Sequence, residues 1–223
     1  MVNILLEGYD IDAPWLYGEL KNYLKPSHSV CVVAFSFRDN RVKTLSDWNA
    51  LYSPECGMYY GGITGGFRSY GIPEENVSFV NYFTDTKESA AEKIKNADIV
   101  YFLGGLPHRT MERIEEFGLF DLLAGFDGIV MGYSAGAAVQ LKEYHLSPDG
   151  DYPEFGYYRG LPYLDGFYIE VHYEDSEIQN SSIRRVLEER GKTVYAIALR
   201  AGAIIADNEE VRLLGDVRTF KAE

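Results

Sequence analysis

Asp127-Gly128-Ile129-Val130-Met131-Gly132-Tyr133-Ser134-Ala135-Gly136-Ala137-Ala138-Val139-Gln140-Leu141 is the stretch that decides the fold. Residues 128–131 read as a buried strand, and residues 137–141 read as a closely packed helix of small and apolar side chains. Between them lies Gly-x-Ser-x-Gly, the pentapeptide of a sharp strand-to-helix turn. Such a turn strains the backbone at its centre, so its neighbours must be small, and Gly132, Ala135, Gly136 and Ala137 meet that demand. The Ser134 hydroxyl then projects above the carboxyl edge of a sheet at a helix N-terminus, where amides stabilise an oxyanion. Ser134 is therefore the candidate nucleophile.

Outward from this turn the chain alternates short apolar runs with amphipathic segments. Residues 3–6, 30–35, 77–81 and 99–103 match buried strands; residues 15–24, 87–96 and 107–117 match helices. That alternation predicts an α/β fold, a three-layer sandwich with a mostly parallel central sheet. Ligands bind such sheets at the carboxyl ends of the strands. The C-terminal third returns to strands at 167–172, 193–199, 203–206 and 211–214, with a helix at 178–190 closed by Gly191. The segment 38–70 is too long for a bare loop and is read as partly helical, over 58–69. Residues 147–160, rich in Tyr, Asp, Pro and Gly, read as a long loop. The 223 residues suit a single α/β hydrolase domain spanning 1–223.

Composition narrows the partners. A formal net charge of −13 argues against nucleic acid and anionic membranes. No stretch is long and apolar enough for a membrane span, and the run Met1 to Glu7 lacks the basic start of a signal peptide. Two cysteines, Cys31 in an apolar run and Cys56, make neither a disulfide framework nor a zinc site. The expectation is a cytoplasmic protein. A homodimer is compatible with the sequence, although no motif argues for it.

Two further elements belong with Ser134. The predicted strand 99–103 ends in Gly104-Gly105, where backbone amides face a ligand without side-chain obstruction. The Gly105 and Ala135 amides are the candidate oxyanion hole. Of the four histidines, His172 ends the predicted strand 167–172 at the edge that carries Ser134, and is the candidate general base. His28 falls at the opposite edge, His108 starts a helix, and His145 lies at the end of the helix that Ser134 begins, pointing away from it. Strict strand alternation puts Glu170 on the same face as His172, making it a candidate orienting acid. Asp149, Asp151 or no carboxylate at all remain open for that role. The acidic run Glu174-Asp175-Ser176-Glu177 is expected at the mouth of the site, disfavouring acidic substrates.

Taken together, Ala97-Asp98-Ile99-Val100-Tyr101-Phe102-Leu103-Gly104-Gly105, Gly132-Tyr133-Ser134-Ala135-Gly136-Ala137 and Val171-His172-Tyr173 resemble the peptidase E and cyanophycinase family of serine peptidases. The spacing of 38 residues from Ser134 to His172 is also similar to that family. The resemblance implies a class I glutamine amidotransferase-like fold, a flavodoxin-like relative, with serine in place of the amidotransferase cysteine. It implies hydrolysis of short peptides, dipeptides among them and often beside an aspartyl residue, without metal or organic cofactor. The family carries its triad glutamate in a turn after a late strand; the matching stretch here, Ile197-Ala198-Leu199-Arg200-Ala201-Gly202, has no carboxylate. A hydrolase of another ester or amide, and a non-catalytic small-molecule or peptide-binding protein on the same fold, stay open as alternatives.

Overall fold

Alternation of apolar side chains to the two faces of a parallel sheet organises the whole molecule. The computed structural model describes residues 1–207 and 210–222, and the side chain of Arg200 lies outside the described residues. Its strands are β1 (Val2–Leu6), β2 (Val30–Val33), β3 (Val77–Val80), β4 (Ile99–Phe102), β5 (Ile129–Tyr133), β6 (Glu143–Leu146), β7 (Gly156–Arg159), β8 (Phe167–Tyr173), β9 (Thr193–Asp207) and β10 (Glu210–Phe220). Its helices are α1 (Pro14–Leu20), α2 (Leu45–Tyr52), α3 (Tyr60–Ser69), α4 (Lys87–Lys95), α5 (Pro107–Glu116), α6 (Phe120–Ala124), α7 (Ala135–Ala138) and α8 (Glu177–Arg190).

The sheet runs β10-β9-β1-β5-β4-β2-β3, with β8 also paired to β9. From β1 to β3 all neighbours are parallel. One face packs Leu5, Val33, Phe35, Val100, Phe102 and Val130 against helices α4 to α7. The other packs Ile4, Val32, Tyr101 and Met131 against α1, α2 and α3. This is the expected three-layer α/β sandwich, and each fully buried aliphatic side chain stabilises it by about 1.5–3 kcal/mol. A third cluster, Tyr168, Tyr173, Ile183, Val186, Val194 and Ala196, seats α8 on β8 and β9.

Several elements differ from the sequence reading. The helix read as 58–69 begins at Tyr60, and α2 precedes it. Thr44 and Asp47 close a capping box at the start of α2, satisfying its first amides reciprocally. The strands read as 193–199 and 203–206 are one strand, β9. Within 147–160 the chain returns to pair β7 with β6 as an antiparallel hairpin outside the main sheet. The helix after Ser134 is a single turn, Ala135–Ala138.

The length of β9 sets up the site. Its first half pairs in parallel with β8, as far as Tyr173 opposite Ala198. Its second half pairs antiparallel with β1, from Leu6 opposite Ala203. Thus β8 and β1 run toward each other along one edge of β9, and their carboxyl ends meet near its middle. β5 lies on the other side of β1, with Leu6 opposite Tyr133. Three strand ends, those of β1, β5 and β8, therefore converge on one place.

Candidate active site

Ser134 sits between β5 and α7 with φ 52° and ψ −116°, a sparsely populated conformation for a residue with a Cβ. The two glycines of the pentapeptide have steric reasons to be there. A Cβ on Gly132 would strike the Gly136 carbonyl, and a Cβ on Gly136 would strike the Phe102 carbonyl of β4. The Ser134 amide donates to the Leu6 carbonyl at 2.9 Å, which locks the turn to the end of β1. That bond helps hold a backbone whose strain costs about 1–3 kcal/mol.

His172 lies near the end of β8, and it too has a positive φ, 54°. The pairing of β8 with β9 shifts register between Glu170 and Tyr173. The His172 carbonyl accepts a hydrogen bond from Gln179 Nε2 of α8 at 3.0 Å. Its ring has Nε2 2.7 Å from Ser134 Oγ and Nδ1 2.6 Å from Glu7 Oε1. Glu7 follows β1 directly, and its side chain is 7% exposed against 45% for His172. Serine, imidazole and carboxylate thus form a continuous chain of hydrogen bonds.

The expected contact between Glu170 and His172 is not made. Glu170 Oε2 lies 2.7 Å from His145 Nε2 and accepts the Ser147 hydroxyl at 2.8 Å. The cause is the register shift: with an irregularity after Glu170 and a positive φ at His172, residues 170 and 172 no longer share a face. The other carboxylates held open are also engaged elsewhere. Asp149 accepts the amides of Asp151 and Tyr152, and Asp151 pairs with Arg38. Sequence reasoning missed Glu7, and a signal was present. A carboxylate that ends an apolar strand at the carboxyl edge of a parallel sheet is out of place unless it has a partner there.

Gly105 has φ 140°, and a Cβ there would strike the Ser36 carbonyl. The loop is fixed by Leu106 N–H donating to Ser36 O at 2.8 Å and by the Ser36 hydroxyl donating to Gly104 O at 2.6 Å. Ala135 opens α7 and is buried. Among the described residues, neither the Gly105 nor the Ala135 amide has a backbone acceptor. Gly105, Ser134 and His172 all line one cavity of about 900 Å³.

The acidic run after His172 does not line that cavity. Asp175 binds Arg218, Asn180 and Tyr173, Ser176 caps α8, and Glu177 pairs with Arg184. The remaining histidines are also elsewhere. His108 Nδ1 lies 2.6 Å from the Tyr152 hydroxyl, and burial lowers its pKa. The His28 ring accepts the Lys25 amide. Among the described residues no cluster of three or more His, Cys, Asp or Glu is arranged to hold a metal ion. No helix among them is long and apolar enough to cross a membrane.

Known proteins resemble the chain in fold and in sequence. A solved structure from Listeria monocytogenes EGD-e, described as a peptidase E protein, superposes with a TM-score of 0.66 at 18% identity, covering 96% of this chain and 98% of that one. A peptidase from an acI-B1 Actinobacterium superposes with a TM-score of 0.60 at 14% identity, covering 99% and 94%. At such identities the likeness establishes the fold. No curated protein sequence matches the chain. A family model, Peptidase family S51, matches residues 57–214, which include Ser134 and His172 and leave out Glu7. With most of its length matched by that family and its fold shared with peptidase E structures, this chain belongs to peptidase family S51 and is a serine-type peptidase.

Proposed function

We propose that the chain hydrolyses short peptides, dipeptides among them, through a Ser134–His172–Glu7 triad with the Gly105 and Ala135 amides as oxyanion hole. The observation that carries this reading is the position of one imidazole between a serine hydroxyl at 2.7 Å and a buried carboxylate at 2.6 Å. In the reactive tautomer Nδ1–H donates to Glu7, and Nε2 accepts the Ser134 proton. The serine oxygen attacks the scissile carbonyl as Nε2 takes that proton. Negative charge grows on the carbonyl oxygen, toward the two amides. Removing one such donor costs about 10²–10³ in rate on other folds. The imidazolium formed is stabilised by Glu7 and returns its proton to the leaving amine. A water, activated in turn by His172, then hydrolyses the acyl-enzyme.

Elbow strain and the buried acid support catalysis over mere binding, because both are costly to maintain. The free thiols Cys31 and Cys56 support a reducing, cytoplasmic setting. The test is fluorophosphonate labelling followed by a dipeptide panel run beside simple esters. Stoichiometric labelling at Ser134 with dipeptide turnover is expected. Labelling with ester turnover alone would shift the reading to a non-peptide hydrolase. Absence of labelling would leave a binding protein.

A further inference from the structure

The chemistry that His172 performs divides the cavity in two. The imidazole protonates the leaving amine, so the leaving group lies on its side of Ser134, toward β1 and β9. The residue that supplies the acyl group then lies on the other side, toward β4 and β2. That side of the cavity is aromatic. Its walls include Phe37 after β2, Tyr52 of α2, Tyr59 before α3, and Tyr133 beside the nucleophile; Tyr9, which follows β1, packs against Tyr133 from the other side at 5.8 Å between ring centroids.

The rings are held rather than loose. Phe37 is covered on one face by the Arg113 guanidinium at 3.6 Å, and Arg113 is itself tied to the Phe35 and Phe37 carbonyls. Tyr52 packs on Trp48 and Tyr59. Gly104 has no Cβ because the Tyr133 ring occupies that space. Tyr59 remains 38% exposed, so its ring faces the cavity and solvent rather than the core.

Most charged groups of the lining already have partners. Glu7 faces His172, Asp47 accepts the amides of Lys43 and Thr44, and Arg38 pairs with Asp151. Arg41 is the one lining cation without a side-chain partner among the described residues, and it is exposed. An acidic side chain in the cavity would meet no buried cation to offset its desolvation. An aromatic or large aliphatic one would exchange water for ring faces. We infer that the acyl-side residue of the substrate is aromatic or large aliphatic, and not acidic. This rests on the Ser134–His172 reading of the site.

The experiment pairs binding with turnover, using Phe-Ala, Leu-Ala, Ala-Ala and Asp-Ala. Binding is measured by calorimetry on the Ser134→Ala protein, which needs no catalysis. Phe-Ala and Leu-Ala are expected to bind at least tenfold more tightly than Ala-Ala, with Asp-Ala the weakest. Tyr59→Ala in the same background should shrink the Phe-Ala advantage several-fold. Turnover by the unaltered enzyme should rank kcat/KM in the same order. Asp-Ala binding as tightly as Phe-Ala would overturn the inference while leaving the triad intact. Failure of the fluorophosphonate to label Ser134, with the binding order as expected, would overturn the triad and keep the pocket. Equal binding of all four dipeptides would show that the aromatic wall does not select and would also overturn the inference.

Discussion

Two clusters in this molecule contain the same three residue types, and only one has the arrangement that the proposed chemistry requires. At the convergence of β1, β5 and β8, His172 is the hub: it touches Ser134 with one nitrogen and Glu7 with the other. Between β6 and β8, Glu170 is the hub: Ser147 and His145 both bond to its Oε2. In the second cluster no imidazole nitrogen faces the serine, and the His145 side chain is wholly buried with its Nδ1 unpartnered among the described residues. The first cluster opens on a cavity, and its serine and histidine both hold positive φ. A serine, a histidine and a glutamate within reach of one another do not make a nucleophile. The order of the hydrogen bonds, the access and the strain do.

Substituting the two serines tests that contrast most severely. Ser134→Ala is expected to lower kcat by about 10⁶-fold, as loss of a nucleophile does on other folds. Ser147→Ala should leave kcat within about twofold. Comparable losses in the two variants would erase the distinction between the clusters.

The next largest effect concerns the elbow. Gly136→Ala places a methyl group against the Phe102 carbonyl, where the backbone has no room. About 10²-fold or more of kcat/KM should be lost, because a misplacement near 1 Å costs that much. A circular dichroism melt run beside the assay separates displacement of Ser134 from loss of fold. Full activity with an unchanged melt would mean that the tight approach is not required.

The acid of the second cluster should affect stability instead. Glu170→Ala leaves His145 buried without its hydrogen-bond partner and is expected to cost about 1–3 kcal/mol in urea unfolding. In the folded fraction kcat should stay within about threefold. A loss of kcat of several orders of magnitude at unchanged stability would return Glu170 to the mechanism.

The smallest effect is chemical accessibility. Burial pushes the Cys31 thiol up to about 12, and Cys56 is exposed. Alkylation of the native protein near pH 8 should therefore modify one thiol, and alkylation after denaturation two. Modification of both in the native state would show that β2 opens more readily than its buried position suggests.

What was legible in the sequence follows from range. The elbow is a local object, readable from a strand, two obligatory glycines and a run of alanines. His172 was legible because a strand end fixes which edge of the sheet a residue occupies. The edge that Glu7 occupies was legible in the same way, but its pairing was not, since His172 lies 165 residues away and meets it only because β1 and β8 approach end to end along β9. Glu170 misled because strand alternation holds only until a register shift breaks it. The acidic run 174–177 misled in a similar way. Its charge was legible, but Arg218, Asn180 and Arg184, which hold Asp175 and Glu177, come from later in the chain. The α2 capping box was readable in principle from Thr44 and Asp47, three residues apart.

The central claim is that Glu7 orients His172. It is tested most directly by the rate constant for fluorophosphonate labelling of Ser134, a measurement that needs no knowledge of the substrate. With Glu7→Gln the imidazole loses its charged partner and its preferred tautomer, and the labelling rate is expected to fall by about 10³-fold or more while the protein remains folded. Glu170→Gln, measured beside it, should label within about threefold of the unaltered enzyme. A Glu7→Gln protein that labels as fast as the unaltered enzyme would contradict the assignment.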